Sequence, residues 1–202
     1  MALYDRFLAL RVRTAEGEPP EHVALVITER DLLEQGAYET LTAFVHWAFE
    51  FGATRVTIYV SVLDEAVIDT IGRELEGLSL PREVAVRDPD SAEPVSAPIQ
   101  INLGLGGKEE FATAVRHVAE AVDAGELDPE TIDESVVEER LTFAEEPDLV
   151  IKTGEERLSD FMIWQSVYSE LYFTDVNWRD FRKRDYLRAV LEFKRRKRRF
   201  GR

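Results

Sequence analysis

Short apolar runs alternate with amphipathic stretches along this chain, and the alternation predicts an α/β sheet. The runs at 22–27, 55–60, 83–87, 98–103 and 148–152 are brief and rich in β-branched residues, as strands are. Several are apolar throughout, the pattern of strands buried on both faces of a parallel sheet. Helical stretches lie between them. Leu41, Phe44, Val45, Ala48 and Phe49 share one face of a helix ending at Gly52. Phe111, Ala114, Val115, Val118, Ala119 and Val122 share one face of another, ending at Gly125. A shorter helix is predicted to open at Asp128-Pro129, and a further one, capped by Ser159, to run through 161–171. The last would span about 180–199, with Tyr186, Leu187, Val190 and Leu191 inward. Residues 87–98 read as a loop and no repeat is visible, so 1–202 are expected to form one domain, a central mostly parallel sheet flanked by helices.

Composition agrees with a globular chain. Of 202 residues 45% are hydrophobic, enough for a core and too many for a disordered segment. No apolar run approaches the roughly 20 residues that span a bilayer. The opening MALYDRFLALRVR carries Asp5, Arg6 and Arg11 with no small-residue cleavage site, so it does not read as a signal peptide. The apolar Leu3, Tyr4, Phe7 and Leu8 within it are expected to cap the domain, with a peripheral membrane contact as the alternative. The absence of cysteine excludes disulfides and thiolate metal sites, and a cytoplasmic location is the expectation.

Charge sharpens the picture. The chain has 40 acidic and 25 basic residues, only five of them lysines, a balance that suits a halophilic acidic protein. From 182 to 202 the balance reverses, with eleven basic residues against Asp185 and Glu192. Such a segment suits an anionic partner.

Candidate chemistry is sparse upstream. His22, His46 and His117 lack metal-ligand spacing and read as structural. No G-x-S-x-G elbow occurs, which leaves serine-hydrolase chemistry without support. Residues 104–111 (GLGGKEEF) form a glycine-rich strand-to-helix turn whose amides could meet a phosphate, but they are neither a Walker A motif nor a Rossmann fingerprint. Downstream, Lys152, Arg157 and Ser159 follow one strand closely. A cation, a guanidinium and a hydroxyl at such a junction suit a diphosphate; singly, Arg157 could equally be a surface ion pair and Ser159 a plain helix cap.

Residues 148–202, DLVIKTGEERLSDFMIWQSVYSELYFTDVNWRDF through RRFGR, closely resemble the C-terminal signature of the cis-prenyltransferase (undecaprenyl diphosphate synthase-like) family. That signature runs roughly D-L-V-I-R-T-G-G-E-x-R-I-S-N-F-L-L-W-Q-x-A-Y-x-E-L-Y-F-T-D and ends in R-R-F-G. PEHVALVI at 20–27, VTIYV at 56–60, IQINLGLGGKEEF at 99–111 and AGELDPETIDE at 124–134 resemble further family stretches, so the likeness covers nearly the whole chain. The resemblance implies an undecaprenyl diphosphate synthase-like fold and the joining of isopentenyl diphosphate to an allylic diphosphate with magnesium. Carried over by position, Arg157 and Ser159 would hold the isopentenyl diphosphate, with Lys152 where the family has arginine. Glu170 would match a metal-binding glutamate. Arg199 and Gly201 would form an R-x-G element that reaches across a dimer to the partner's diphosphate.

The departures cluster at one place. After P-x-H-I-A-I-I-M the family continues D-G-N-x-R-W-A, whose aspartate binds magnesium; here Thr28, Glu29 and Arg30 follow Ile27, and the linker is about ten residues shorter. Thr28 is a poor ligand for magnesium, and Glu29 adds negative charge where phosphates should sit. The stretch after Tyr59 lacks A-F-S-T-E-N-W, Gly104 and Leu105 replace Asn and Tyr, and the turn at 153–157 is one glycine short. The leading expectation is therefore a catalytically degenerate partner in a heterodimer, similar to Nogo-B receptor-type subunits, with no catalytic residue intact. The alternatives are an active homodimeric cis-prenyltransferase and a module binding anionic lipid or nucleic acid through its basic helix. Nucleic acid is disfavoured by the acidity of the remaining chain.

Overall fold

The computed structural model describes residues 2–89, 96–104, 106–141, 146–154 and 164–196. In chain order these form α1 (Ala2–Thr14), β1 (His22–Thr28), α2 (Glu29–Leu32), α3 (Ala37–Glu50), β2 (Arg55–Ser61), α4 (Ile68–Glu76), β3 (Val84–Arg87), β4 (Ile99–Leu103), α5 (Gly107–Asp123), α6 (Glu134–Glu138), β5 (Leu149–Thr153), β6 (Glu170–Thr174) and α7 (Lys183–Arg195). The six strands make one sheet, ordered β3-β4-β2-β1-β5-β6, with every pair parallel. The expected α/β architecture is thus present, with the five strand-like runs in place to within a residue or two.

Alternation along the strands gives the sheet two unequal faces. Val23, Leu25, Ile27, Val56, Ile58, Val60, Ile99, Ile101 and Leu103 point to one side and are all at most 1% exposed. There they meet α3, α4 and α7 in the main core. Phe44 of α3 lies edge-on to Trp178 and Tyr186, and Trp178 stacks on Phe181 at 5.6 Å. The Trp178 indole donates to the Ala37 carbonyl at 3.2 Å, which satisfies its buried polar atom. Gly52 closes α3 at φ +109, where any Cβ would stand 2.5 Å from Pro19 Cγ; only glycine fits.

The other face is thinner. Its buried apolar cluster is Ala24, Val26, Tyr59 and Val150, with Leu171 against it. A row in register across four strands, Val26, Tyr59, Asn102 and Arg87, is polar for half its length. Of α5, only Gly107, Glu110 and Ala114 are buried. Phe111 and Val115, expected to face inward, are 40% and 46% exposed. The pattern correctly marked an apolar face but not what covers it.

Three expectations change. The helix predicted through 161–171 is not present where the structure describes it: 164–168 are turn, and Glu170–Thr174 pair with Leu149–Thr153 as the edge strand β6. Aromatic and β-branched residues at 172–174 favour that pairing. The helix at Asp128-Pro129 is a single 3₁₀ turn, Pro129–Thr131, followed by the short α6. The N-terminal stretch is a helix, and of its four apolar residues only Leu8 is buried, while Leu3, Tyr4 and Phe7 are exposed.

Candidate functional site

In an open parallel sheet, ligands gather beyond the carboxyl ends of the strands where successive connections leave in opposite directions. Here that point lies between β1, which leads to β2 on one side, and its other neighbour β5. Thr28 ends β1, and Lys152 lies one position before the end of β5, in register with Val26. Thr28 and Lys152 therefore project from the same face at the same edge. Arg157, Ser159, Arg199 and Gly201 lie outside the described residues.

The chain uses its own groups at the end of β1. Thr28 caps α2: its hydroxyl donates to Asp31 Oδ2 at 2.8 Å, its backbone amide donates to the same oxygen at 2.8 Å, and Asp31 N returns a bond to Thr28 Oγ1 at 3.4 Å. Thr-x-x-Asp is a capping-box spacing, the signal by which this arrangement could have been found in the sequence. Glu29 is 7% exposed, and its Oε2 accepts from the amides of Leu63 at 2.8 Å and Asp64 at 3.2 Å. Those amides follow β2. An internal carboxylate thus satisfies the two donors that converge beside β1, a contact across 34 positions that sequence reasoning missed.

Glu170 is not brought to this point. It opens β6 in register with Leu149, at the amino edge of the sheet and on its other face. Its Oε2 accepts from Arg196 at 2.9 Å, and Arg196 also pairs with Glu192 and donates to the Leu171 carbonyl. Thr28 stands five strand positions beyond that register, roughly 16 Å along the sheet. Magnesium prefers several hard, charged oxygens. A hydroxyl bonded to Asp31 and a distant carboxylate paired with Arg196 do not fit it as they stand.

Of the histidines, His22 is placed structurally. Its Nε2 meets the Thr57 hydroxyl at 2.8 Å and its Nδ1 the Glu146 carbonyl at 3.2 Å. Burial, and more weakly the Arg55 charge, lowers its pKa to about 4, against the opposing pull of the Glu146 carbonyl and Asp148. His46 and His117 are exposed.

Comparison with known proteins decides the family. A model described as "Putative undecaprenyl diphosphate synthase" matches residues 79–201, from before β3 into the basic tail. The chain belongs to the undecaprenyl diphosphate synthase-like cis-prenyltransferase family. A tritrans,polycis-undecaprenyl-diphosphate synthase (geranylgeranyl-diphosphate specific) of Methanopyrus kandleri is 32% identical to it over 247 aligned positions, covering 99% of this chain and 90% of that protein. An isoprenyl transferase of Thermus thermophilus is 34% identical, covering 99% and 95%. Both alignments are longer than this chain, so the relatives have residues where it has none. Lavandulyl diphosphate synthase of Lavandula x intermedia, solved with dimethylallyl diphosphate, superposes with a TM-score of 0.75 at 25% identity, over 91% of this chain and 99% of that one. These names describe synthases and favour the active-enzyme alternative over an inactive partner subunit.

Proposed function

We propose that this chain serves cis-prenyl transfer, the condensation of isopentenyl diphosphate onto an allylic diphosphate to build a polyprenyl diphosphate. Its family and the names of its relatives support the reaction. One observation carries the finer reading, that it works as one half of a dimer whose other half holds the intact D-G-N motif. At the end of β1 the Thr28 hydroxyl is bonded to Asp31 and the Glu29 carboxylate to the amides of Leu63 and Asp64. An allylic diphosphate there would meet a buried anion in place of free donors, and like charges repel.

A partner surface is also at hand. Phe111 and Val115 of α5 are exposed, Phe111 stacks on Trp164 at 5.9 Å, and Val167 and Tyr168 just beyond are 65% and 58% exposed. Exposed apolar side chains of that kind suit a protein interface. In this reading Lys152, Arg157 and Ser159 bind isopentenyl diphosphate, and Arg199 and Gly201 complete the partner's site. The second reading, an active homodimer, is favoured by the relatives' names and needs metal held otherwise, through Glu29, Glu170 or the substrate phosphates.

Co-expression with a D-G-N-bearing homologue encoded by the same genome separates the two. The subunit reading expects a stable mixed complex and no prenyl transfer by this chain purified singly with magnesium. Turnover by the pure chain would establish the second reading.

A further inference from the structure

Helix α1 carries apolar side chains on two opposite sides. Leu8 and Val12, each 3% exposed, pack against α7 and the core. At about 100° per residue, Leu3, Phe7 and Leu10 fall on the side directly away from them. They are 85%, 53% and 60% exposed, so the outward stripe is uncovered. Arginines border it on both flanks. Arg11 and Tyr4 lie along one edge, with the Arg11 guanidinium 5.6 Å from the centre of the Phe7 ring. Arg188 of α7 reaches the same edge, 5.6 Å above the Tyr4 ring and donating to its hydroxyl at 3.3 Å. Arg6 and Arg13 lie along the other edge, where Arg13 also pairs with Glu50 at 3.6 Å.

An apolar ridge between two rows of guanidinium groups matches the layering of a bilayer surface, with acyl chains beneath and anionic phosphates at the level of the cations. Charge selects the same occupant. The chain as a whole carries −15, yet α1 holds three arginines against Asp5 alone, and α7 five basic residues against two acidic. Four arginines, Arg6, Arg11, Arg13 and Arg188, border this exposed ridge, and cations so placed present it to a negative surface. We propose that α1 lies in the surface of an anionic lipid membrane, with Leu3, Phe7 and Leu10 inserted and Arg6, Arg11, Arg13 and Arg188 at the phosphates. No helix among the described residues is long and apolar enough to cross a membrane. It is independent of the reaction assigned above.

Vesicle flotation tests this with the full chain, phosphatidylglycerol-containing vesicles and pure phosphatidylcholine vesicles, at low and at molar salt, with circular dichroism confirming the fold in each. The chain is expected to float with the anionic vesicles and less so with the neutral ones. Phe7→Ser with Leu10→Ser, both at exposed positions, should reduce partitioning at least about tenfold while the fold persists. Failure of the wild type to float overturns the proposal. Flotation unchanged in the double variant also overturns it, since binding would then reside in the basic C-terminal residues. A double variant that loses dimerisation instead of lipid binding would make the ridge a protein interface, and the proposal would fall.

Discussion

His22 makes the stability of this fold depend on pH in a way that can be calculated. A carbonyl only accepts, so Nδ1 donates to Glu146 and Nε2 accepts from the Thr57 hydroxyl, which requires the neutral ring. Burial is the largest reason the pKa falls from 6.5 to about 4. The sign follows from which state takes up the proton first. Below pH 6.5 the unfolded chain is protonated while the folded chain is not, so stability is lost as the pH falls, until the folded ring also titrates near 4. A shift of that size is worth about 3 kcal/mol, a large share of the roughly 5–15 kcal/mol that holds a domain together. Urea unfolding of the wild type and of His22→Gln, followed from about pH 7 to about pH 4, isolates this contribution from the carboxylates common to both. The advantage of the wild type over the variant should shrink by about 3 kcal/mol across that range. A constant difference, or a folded-state His22 resonance titrating near 6.5, would refute the reasoning.

Two further substitutions probe the frame around the site. Trp178→Ala removes a fully buried ring stacked on Phe181 and bonded to Ala37, and should destabilise the chain by about 3–5 kcal/mol in the same unfolding assay. Glu29→Ala leaves the amides of Leu63 and Asp64 without their acceptor and should cost about 1–3 kcal/mol. Faster hydrogen exchange confined to those two amides would accompany it, and unchanged exchange there would argue against the bridging carboxylate.

The parts of the fold that announced themselves were the strands with a continuous apolar run. Runs such as 55–60 are strands because their β-branched residues are buried on both sides of a parallel sheet. The first two residues of β6, Glu170 and Leu171, were read as the tail of a helix; all five residues of the strand are only partly buried, so no strict alternation marks it. α1 went unpredicted for the opposite reason, since apolar residues on two sides blur a single stripe. At the site, Lys152 was legible as a cation near the end of a strand, but its nearness to Thr28 rests on the pairing of β1 with β5 across the sheet. The turning of Glu29 toward Leu63 and Asp64, and the distance of Glu170 from Thr28, depend on long-range register that local patterns do not carry.

We propose that this chain supports prenyl transfer by lending a half-site to a partner. Its most direct test is a titration. The D-G-N-bearing homologue is held at fixed concentration with isopentenyl diphosphate, an allylic diphosphate and magnesium, while increasing amounts of this chain are added. The rate of polyprenyl diphosphate formation should rise and level off at one equivalent, with no product from this chain alone. A rate indifferent to its addition, or turnover by this chain with no partner present, would contradict it.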